Sequence, residues 1–360
     1  MNRPSLLLGC LCLALLTATC AESSSCPDAP DAAPGPDAVT ADVGDASPDT
    51  PNDTPEAEPG SSAEALAEVG PDATAPADTA DAAEAAPTDT APPAPQPFKV
   101  LSFNLRTGFA DDGADSWKDR QAIVTSFLQA EAPDLVGVQE GLIFQLTVVG
   151  EALPDHDWVG TDRTGTGLDE YCAVFYDRLR FELVASGTFW LSDTPDVVAS
   201  TFSDAQLRTR IVTWARLRER ATGRELVLFN THYDTTDQDQ VPERSSALVV
   251  KKIAELAGDT PVVLTGDFNT LVGEPAYDIL VGVEAFDGVT GALIDPWREL
   301  GLPEEGSFHG FDGVANDTTR IDWILHTYGV TAEEAVVSHY QVGGHYPSDH
   351  FPVWARLTLP

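Results

Sequence analysis

Positive charge is scarce in this sequence. Its 360 residues carry 58 Asp or Glu against 20 Lys or Arg, a formal net charge of −38. Residues 21–97 hold 17 acidic residues and no Lys or Arg; residues 98–360 hold 41 acidic and 19 basic residues, with no basic cluster. Gripping a long nucleic acid by its backbone needs such a cluster, so the composition speaks against a nucleic-acid partner. It does not speak against chemistry on a single phosphate, because a bound divalent cation brings its own positive charge. Cysteine is sparse too. Of five, Cys10 and Cys12 fall in an N-terminal apolar run, Cys20 and Cys26 follow it, and Cys172 stands alone in the rest of the chain. That pattern excludes a disulfide-stapled scaffold and offers no zinc-type Cys/His spacing. Cys172 reads as a small buried side chain on a strand, with a bridge to Cys26 as the alternative. There is no G-x-S-x-G or H-E-x-x-H motif, and no internal repeat.

The apolar run Leu6–Leu16 is eleven residues long, too short to span a bilayer. It follows Arg3 and leads into Thr17, Ala18, Thr19 and Cys20, which reads as an export signal over residues 1–20. The arrangement resembles a bacterial lipoprotein signal with Cys20 as the lipidated residue, although Thr occupies the positions where Leu and Gly or Ala are usual. Cleavage after Ala21 is the competing reading. The expected location is outside the cytoplasm, either tethered to a membrane through that lipid or secreted. Residues 21–97 contain fifteen prolines and no aromatic residue. Such a stretch cannot bury enough apolar surface to offset chain entropy, so a disordered acidic tether is expected.

From Phe98 the texture changes to apolar strands and amphipathic helices. Strands are expected at 98–105, 134–140, 171–177, 181–192, 210–219, 225–234, 261–269, 320–327 and 350–359. Helices are expected at 116–130, with Ser116 as N-cap and Trp117, Ile123, Val124, Phe127 and Leu128 inward, and at 243–257. Mixed strands with intervening helices predict an α/β sandwich, two sheets carrying helices on their outer faces.

Polar residues recur at the ends of the apolar strands: Asn104, Glu140, His232, Asp267 with Asn269, and Asp349 with His350, while Asp322 lies within "RIDWIL". A charged group at the end of a buried run sits at the sheet edge, within reach of a substrate. Each motif has a bland reading as well: Glu140 as a helix cap, "GDFN" as a turn, a strand-flanking histidine as a satisfied structural side chain. The set is more specific than its members. "SFN", "QE", "NTH", "GDFN", "RIDWI" and "SDH" occur in the order found in the endonuclease/exonuclease/phosphatase superfamily, which 98–360 resembles throughout.

That resemblance implies a deoxyribonuclease I-like, four-layer α/β/β/α sandwich of two mixed sheets. It implies a metal-dependent phosphoesterase using Mg²⁺, with Mn²⁺ as a substitute. Asn104, Glu140 and Asp349 would supply oxygen ligands. Asp267 would orient or deprotonate the attacking water, and Asn269 would hold it or a phosphoryl oxygen. His350 would be oriented by Asp322, and His232 by Glu170, each imidazole meeting the phosphoryl group. Arg163 and Arg210 either contact substrate phosphate or form surface salt bridges. Trp190 fits the family pattern as a core residue. His156, His326 and His339 read as structural; His309 and His345 either line the cleft rim or do not. The expected substrate is a phosphodiester or phosphomonoester on a small molecule, lipid headgroup or glycan, handled by a monomer. An extracellular nuclease and a non-catalytic surface module are the alternatives.

Overall fold

The computed structural model describes residues 94–360. The export signal, Cys20, Cys26 and nearly all of the acidic tether lie outside the described residues. In chain order the strands are β1 (Phe98–Asn104), β2 (Leu135–Gly141), β3 (His156–Val159), β4 (Tyr171–Asp177), β5 (Phe181–Trp190), β6 (Ile211–Glu219), β7 (Glu225–His232), β8 (Val262–Asp267), β9 (Asp322–His326), β10 (Thr331–Val337) and β11 (Val353–Thr358). The helices are α1 (Trp117–Glu131), α2 (Ile143–Ala152), α3 (Val241–Ala257), α4 (Pro275–Val281) and α5 (Pro296–Leu300).

The strands form two sheets, in the orders β10-β11-β1-β2-β4-β3 and β5-β6-β7-β8-β9. Both are mixed: β1 runs parallel to β2 and β7 parallel to β8, and the other pairs are antiparallel. Strand alternation sorts most of the buried apolar residues into three large cores, beside a small cluster of Cys172, Trp190 and Ile211. Val100, Leu135, Val174, Leu226, Leu228, Val263 and Ile324 fill the space between the sheets. Leu101, Phe103, Val136 and Val138 face the other way and meet α1 and α2 through Val124, Phe127, Leu146 and Val149. Val227, Phe229, Val262 and Leu264 meet α3 and α4 through Val249, Tyr277 and Leu280. The result is the expected order of layers, helices outside two face-to-face sheets.

Several elements were not legible. The α2 segment "IFQLTVVGEA" is apolar on nearly every side, a pattern that does not separate helix from strand. Its first turn leaves Ile143 and Phe144 exposed, and Gln145 Oε1 accepts the Leu142 N–H at 3.2 Å. Strand β10 is a short, acidic edge strand, "TAEEAVV", whose charges hide its pairing with β11 and protect the edge. In α1, Ser116 occupies the N-cap position, but its hydroxyl bonds Asp119 Oδ2 at 2.6 Å instead of capping the main chain. Ile123 is only half-buried, whereas Arg120 is fully buried.

Candidate active site

The inward face of each central strand turns polar near one end. Leu226 and Leu228 of β7 are followed on the same face by Asn230 and His232; Val263 of β8 is followed by Thr265 and Asp267. Pairing places His232 beside Asp267, and Asp267 beside Asp322, the first residue of β9. In the other sheet Asn104 lies beside Gln139. One row deeper, a buried network joins the sheets: Gln139 Nε2 donates to Asn230 Oδ1 at 2.6 Å, Thr265 Oγ1 to the same oxygen at 3.1 Å, and Asn230 Nδ2 to the Val138 carbonyl at 2.8 Å. Gly137 faces this network, and a Cβ there would land on the Thr265 hydroxyl and the Asn230 side chain.

Alternation alone would send Glu140 outward with Val136 and Val138. A register shift between Val138 and Gly141, with φ of 57° at Glu140, turns its carboxylate back. There it accepts from Asn104 Nδ2 at 3.0 Å and the Thr107 N–H at 2.8 Å, so it does not cap α2. Asp267 is the hub of the site. Its Oδ2 accepts from Asn104 Nδ2 at 2.8 Å and lies 3.4 Å from His232 Nε2 and 3.7 Å from His350 Nε2. Asn269 reaches this group by a different route from the one strand parity implies. It stands beyond the end of β8 with φ of 47°; its Nδ2 meets His232 Nε2 at 2.9 Å, and its N–H donates to Asp267 Oδ1 at 3.0 Å. His350 Nδ1 lies 2.8 Å from Asp322 Oδ2, the arrangement expected of an imidazole with its orienting carboxylate.

These neighbours set the charge states. Burial pushes Asp267 up to about 7, with His350 opposing and Asp322 adding to the rise. Burial opposes the charge on His350, but Asp322 and Asp267 outweigh it and hold the imidazole well above its ordinary value. His232 is driven well below its ordinary value by burial and by Arg210, so it is neutral. Burial also works against Glu140, yet the Asn104 hydrogen bond and the charge of His350 keep its carboxyl low. Asp349 is raised, chiefly by burial.

Two expected pairings take another form. Glu170 binds Arg163, which also meets Asp169 at 3.0 Å, and Asn269 takes the place of Glu170 at His232. Asp349 faces Arg106 at 3.5 Å and Ser348 at 3.1 Å; among the described residues the sets of three acid or imidazole groups close enough to share one ion are Glu140, His232 and Asp267, and Asp267, Asp322 and His350, sets in which no amide oxygen such as that of Asn104 is counted. Asp349 still lines the same cleft, of about 330 Å³, with Glu140, Arg163, Arg210, His232 and His350. Arg163 thus lines the cleft and is salt-bridged at once, whereas Arg210 is no surface residue, its side chain being only 8% exposed. Arg216 and Arg218, further along β6, pair with Glu225 and lie apart from the cleft-lining set.

Sequence reasoning missed Arg106 and Phe308. Arg106 lines the cleft two residues after Asn104, fastened to Asp112 at 2.9 Å; Phe308 packs its ring 5.0 Å from that of His350. It also missed Arg120, whose guanidinium donates to the carbonyls of Leu105, Arg106 and Pro347 and so ties the loop after Asn104 to the loop before Asp349. The other histidines serve the scaffold. His309 is fully buried and stacks on Phe351 at 4.0 Å, His345 pairs with Asp115 at 3.0 Å, and His156, His326 and His339 meet Pro133, Glu299 and Glu305. Trp190 is buried, as is Cys172, which packs with Trp190 and Ile211.

Residues 101–350 match the Endonuclease/Exonuclease/phosphatase family. The chain is similar to an endonuclease/exonuclease/phosphatase from Bacteroides vulgatus, with 30% identity and a TM-score of 0.65, covering 74% of this chain and 100% of that one. It is likewise similar to a mannosyl-6-phosphatase of Bacteroides thetaiotaomicron, at 31% identity and a TM-score of 0.63 over 72% of this chain and 99% of the other. Among curated proteins it is 28% identical over 303 residues to Protein angel of Drosophila melanogaster, covering 73% of this chain and 81% of that protein.

Proposed function

Since the chain belongs to the Endonuclease/Exonuclease/phosphatase family, we propose that it hydrolyses a phosphate ester with the help of a divalent cation, on a small molecule such as a sugar phosphate. The observation that carries this reading is the convergence of Asp267, Asn269, His232 and the His350–Asp322 pair on one sheet edge beside the half-buried Arg163 and the buried Arg210. Likeness to a mannosyl-6-phosphatase supports a small phosphorylated sugar over a polymer. So does the acidic surface.

The half-buried Glu140 and the buried Asp267 and Asp349 lie here with the Asn104 amide, and burial makes Asp267 and Asp349 hard to ionise without added positive charge. A hard oxygen donor set of carboxylates and an amide fits Mg²⁺. Glu140 and Asp349 would hold the ion, with the Asn104 amide oxygen once its present bond to the Arg106 N–H is released. When bound, such an ion polarises a phosphoryl oxygen and stabilises charge on the leaving oxygen.

The chain's own residues do the rest. Asp267, poised near neutrality, takes the proton of an attacking water whose oxygen bonds to phosphorus. The ester P–O bond in line with it breaks, and the departing oxygen takes a proton from solvent. Asn269 and neutral His232 orient the water and one phosphoryl oxygen. Charged His350, held by Asp322, offers Nε2 to a second oxygen as negative charge builds.

The deciding experiment is turnover by the purified chain of phosphomonoesters, phosphodiesters, sphingomyelin, phosphoinositides, nucleotides and DNA, with and without Mg²⁺. Release of phosphate or alcohol only with the metal supports the reading. Steeply salt-sensitive cleavage of duplex DNA would replace it with a nuclease, and no turnover by a metal-loaded chain would leave a binding module. Export with a lipid on Cys20 is a separate proposal; an unmodified N-terminus at Glu22 in membrane-extracted chain would sink it.

A further inference from the structure

The cleft has two electrically different sides. Glu140 and Asp267 stand with Asn104, whereas Arg163 and Arg210 lie near each other and near His232, and Arg208 lines the same cleft. Arg163 is matched by Glu170 and Asp169. The side chains of the other two have no carboxylate in hydrogen-bonding range among the described residues. Among the described residues Arg208 forms no ion pair, and its guanidinium donates to the Leu207 carbonyl at 2.9 Å. Arg210 is 7% exposed; its one ion-pair partner among the described residues, Asp234, is 3.9 Å from Nε, and that Nε has no hydrogen-bond partner. A buried guanidinium without a bonded partner is costly, and Arg163 nearby adds repulsion.

The arginines are nonetheless held firmly. The Arg208 N–H donates to Asp234 Oδ2 at 2.7 Å, and its carbonyl accepts from Gln206 Nε2 at 2.9 Å; both partners are buried. The Arg163 carbonyl accepts the Trp190 indole N–H at 2.7 Å, and the Arg210 carbonyl accepts the Leu191 N–H at 2.8 Å. Fixed main chain beneath a guanidinium whose Nε has no hydrogen-bond partner is the construction of an anion receptor.

We propose that Arg210, with Arg208 and Arg163, receives a terminal oxygen of a phosphate monoester dianion, so that the substrate class is a phosphomonoester and not a diester. This rests on the phosphoester reading above and refines it. A diester carries two terminal oxygens and one negative charge. A monoester carries three oxygens and, above a pH of about 6, close to two charges. The third oxygen is the one that a diester has esterified. A second ester group at Arg210 would leave the guanidinium buried and unpaired, which selects against diesters.

The test compares kcat/KM for p-nitrophenyl phosphate and bis(p-nitrophenyl) phosphate with Mg²⁺, and measures inorganic phosphate binding by calorimetry, in the wild type, Arg210→Gln and Arg208→Gln. The wild type should prefer the monoester. Arg210→Gln should lower monoester turnover roughly 100-fold, the loss of a charged hydrogen bond, while diester turnover changes little, and phosphate affinity should fall roughly tenfold or more. Arg208→Gln, on an exposed side chain, should shift the ester preference in the same direction and keeps the comparison available if Arg210→Gln does not fold. A diester preference in the wild type, equal losses on both esters, or unchanged phosphate affinity in the variants would overturn the proposal. If neither ester is hydrolysed, the phosphoester reading fails, and calorimetry alone decides whether the arginines form an anion receptor.

Discussion

His350 Nδ1 lies 2.8 Å from Asp322 Oδ2, and both side chains are buried. The carboxylate fixes the ring so that Nε2 faces Asp267, and it favours the charged imidazole. Asp322→Asn keeps the shape but removes the charge and can present the wrong hydrogen-bonding group to Nδ1. We expect kcat to fall by about 10²- to 10⁴-fold with KM little changed, measured by steady-state kinetics on the preferred substrate. An unchanged kcat would remove His350 from the mechanism.

Glu140 is the carboxylate that a β-bulge delivers to the cleft. Glu140→Gln removes the charge and keeps an acceptor oxygen for only one of the Asn104 and Thr107 donors, which bond separate carboxylate oxygens. The Mg²⁺ concentration for half-maximal activity should rise about 10- to 100-fold, read by titrating metal into chelator-treated enzyme. Full activity of the wild type in chelator would refute the metal reading.

Gly137 lets the two sheets approach closely below the site, with no room for a Cβ beside Thr265 and Asn230. Gly137→Ala must push Thr265 and Asn230 away and break the network that joins β2 to β7 and β8. Denaturant unfolding should show a loss of about 1–3 kcal/mol, and activity should fall with it because the paired strand ends move apart. A neutral result would mean that the sheets have slack at this level.

His309 makes folding sensitive to acid. Its Nδ1 accepts the Gly313 N–H at 3.2 Å, which puts the single ring proton on Nε2, and a second proton at Nδ1 would break that bond. Burial, with the charge of His350, lowers its pKa from 6.5 to about 4. Between those values the unfolded chain binds a proton that the folded chain does not. Stability should therefore be full above pH 6.5 and decline as pH falls toward about 4. Urea midpoints across this window should slope less in His309→Phe than in the wild type; identical slopes would exclude His309 as the source.

Much of this protein was determined by the sequence alone. Alternating apolar runs dictate strands with one inward face, and residues such as His232, Asp267 and Asn104 continue that face at the point where the run ends. The ordered motifs therefore disclose both the sandwich and the edge that carries the chemistry. The choice of partners was decided by the tertiary structure. Glu140 points inward because of a bulge that strand parity does not contain, and Asn269 meets His232 through a left-handed backbone beyond β8. Glu170 turns to Arg163, while Arg210 is buried without a matching carboxylate in hydrogen-bonding range. The physical reason is one of range. Periodicity is a local property that says which face a residue occupies. Hydrogen bonds across two sheets depend on bulges, register and sheet separation, which are settled only when segments more than a hundred residues apart, such as Asn104 and Asp267, pack together.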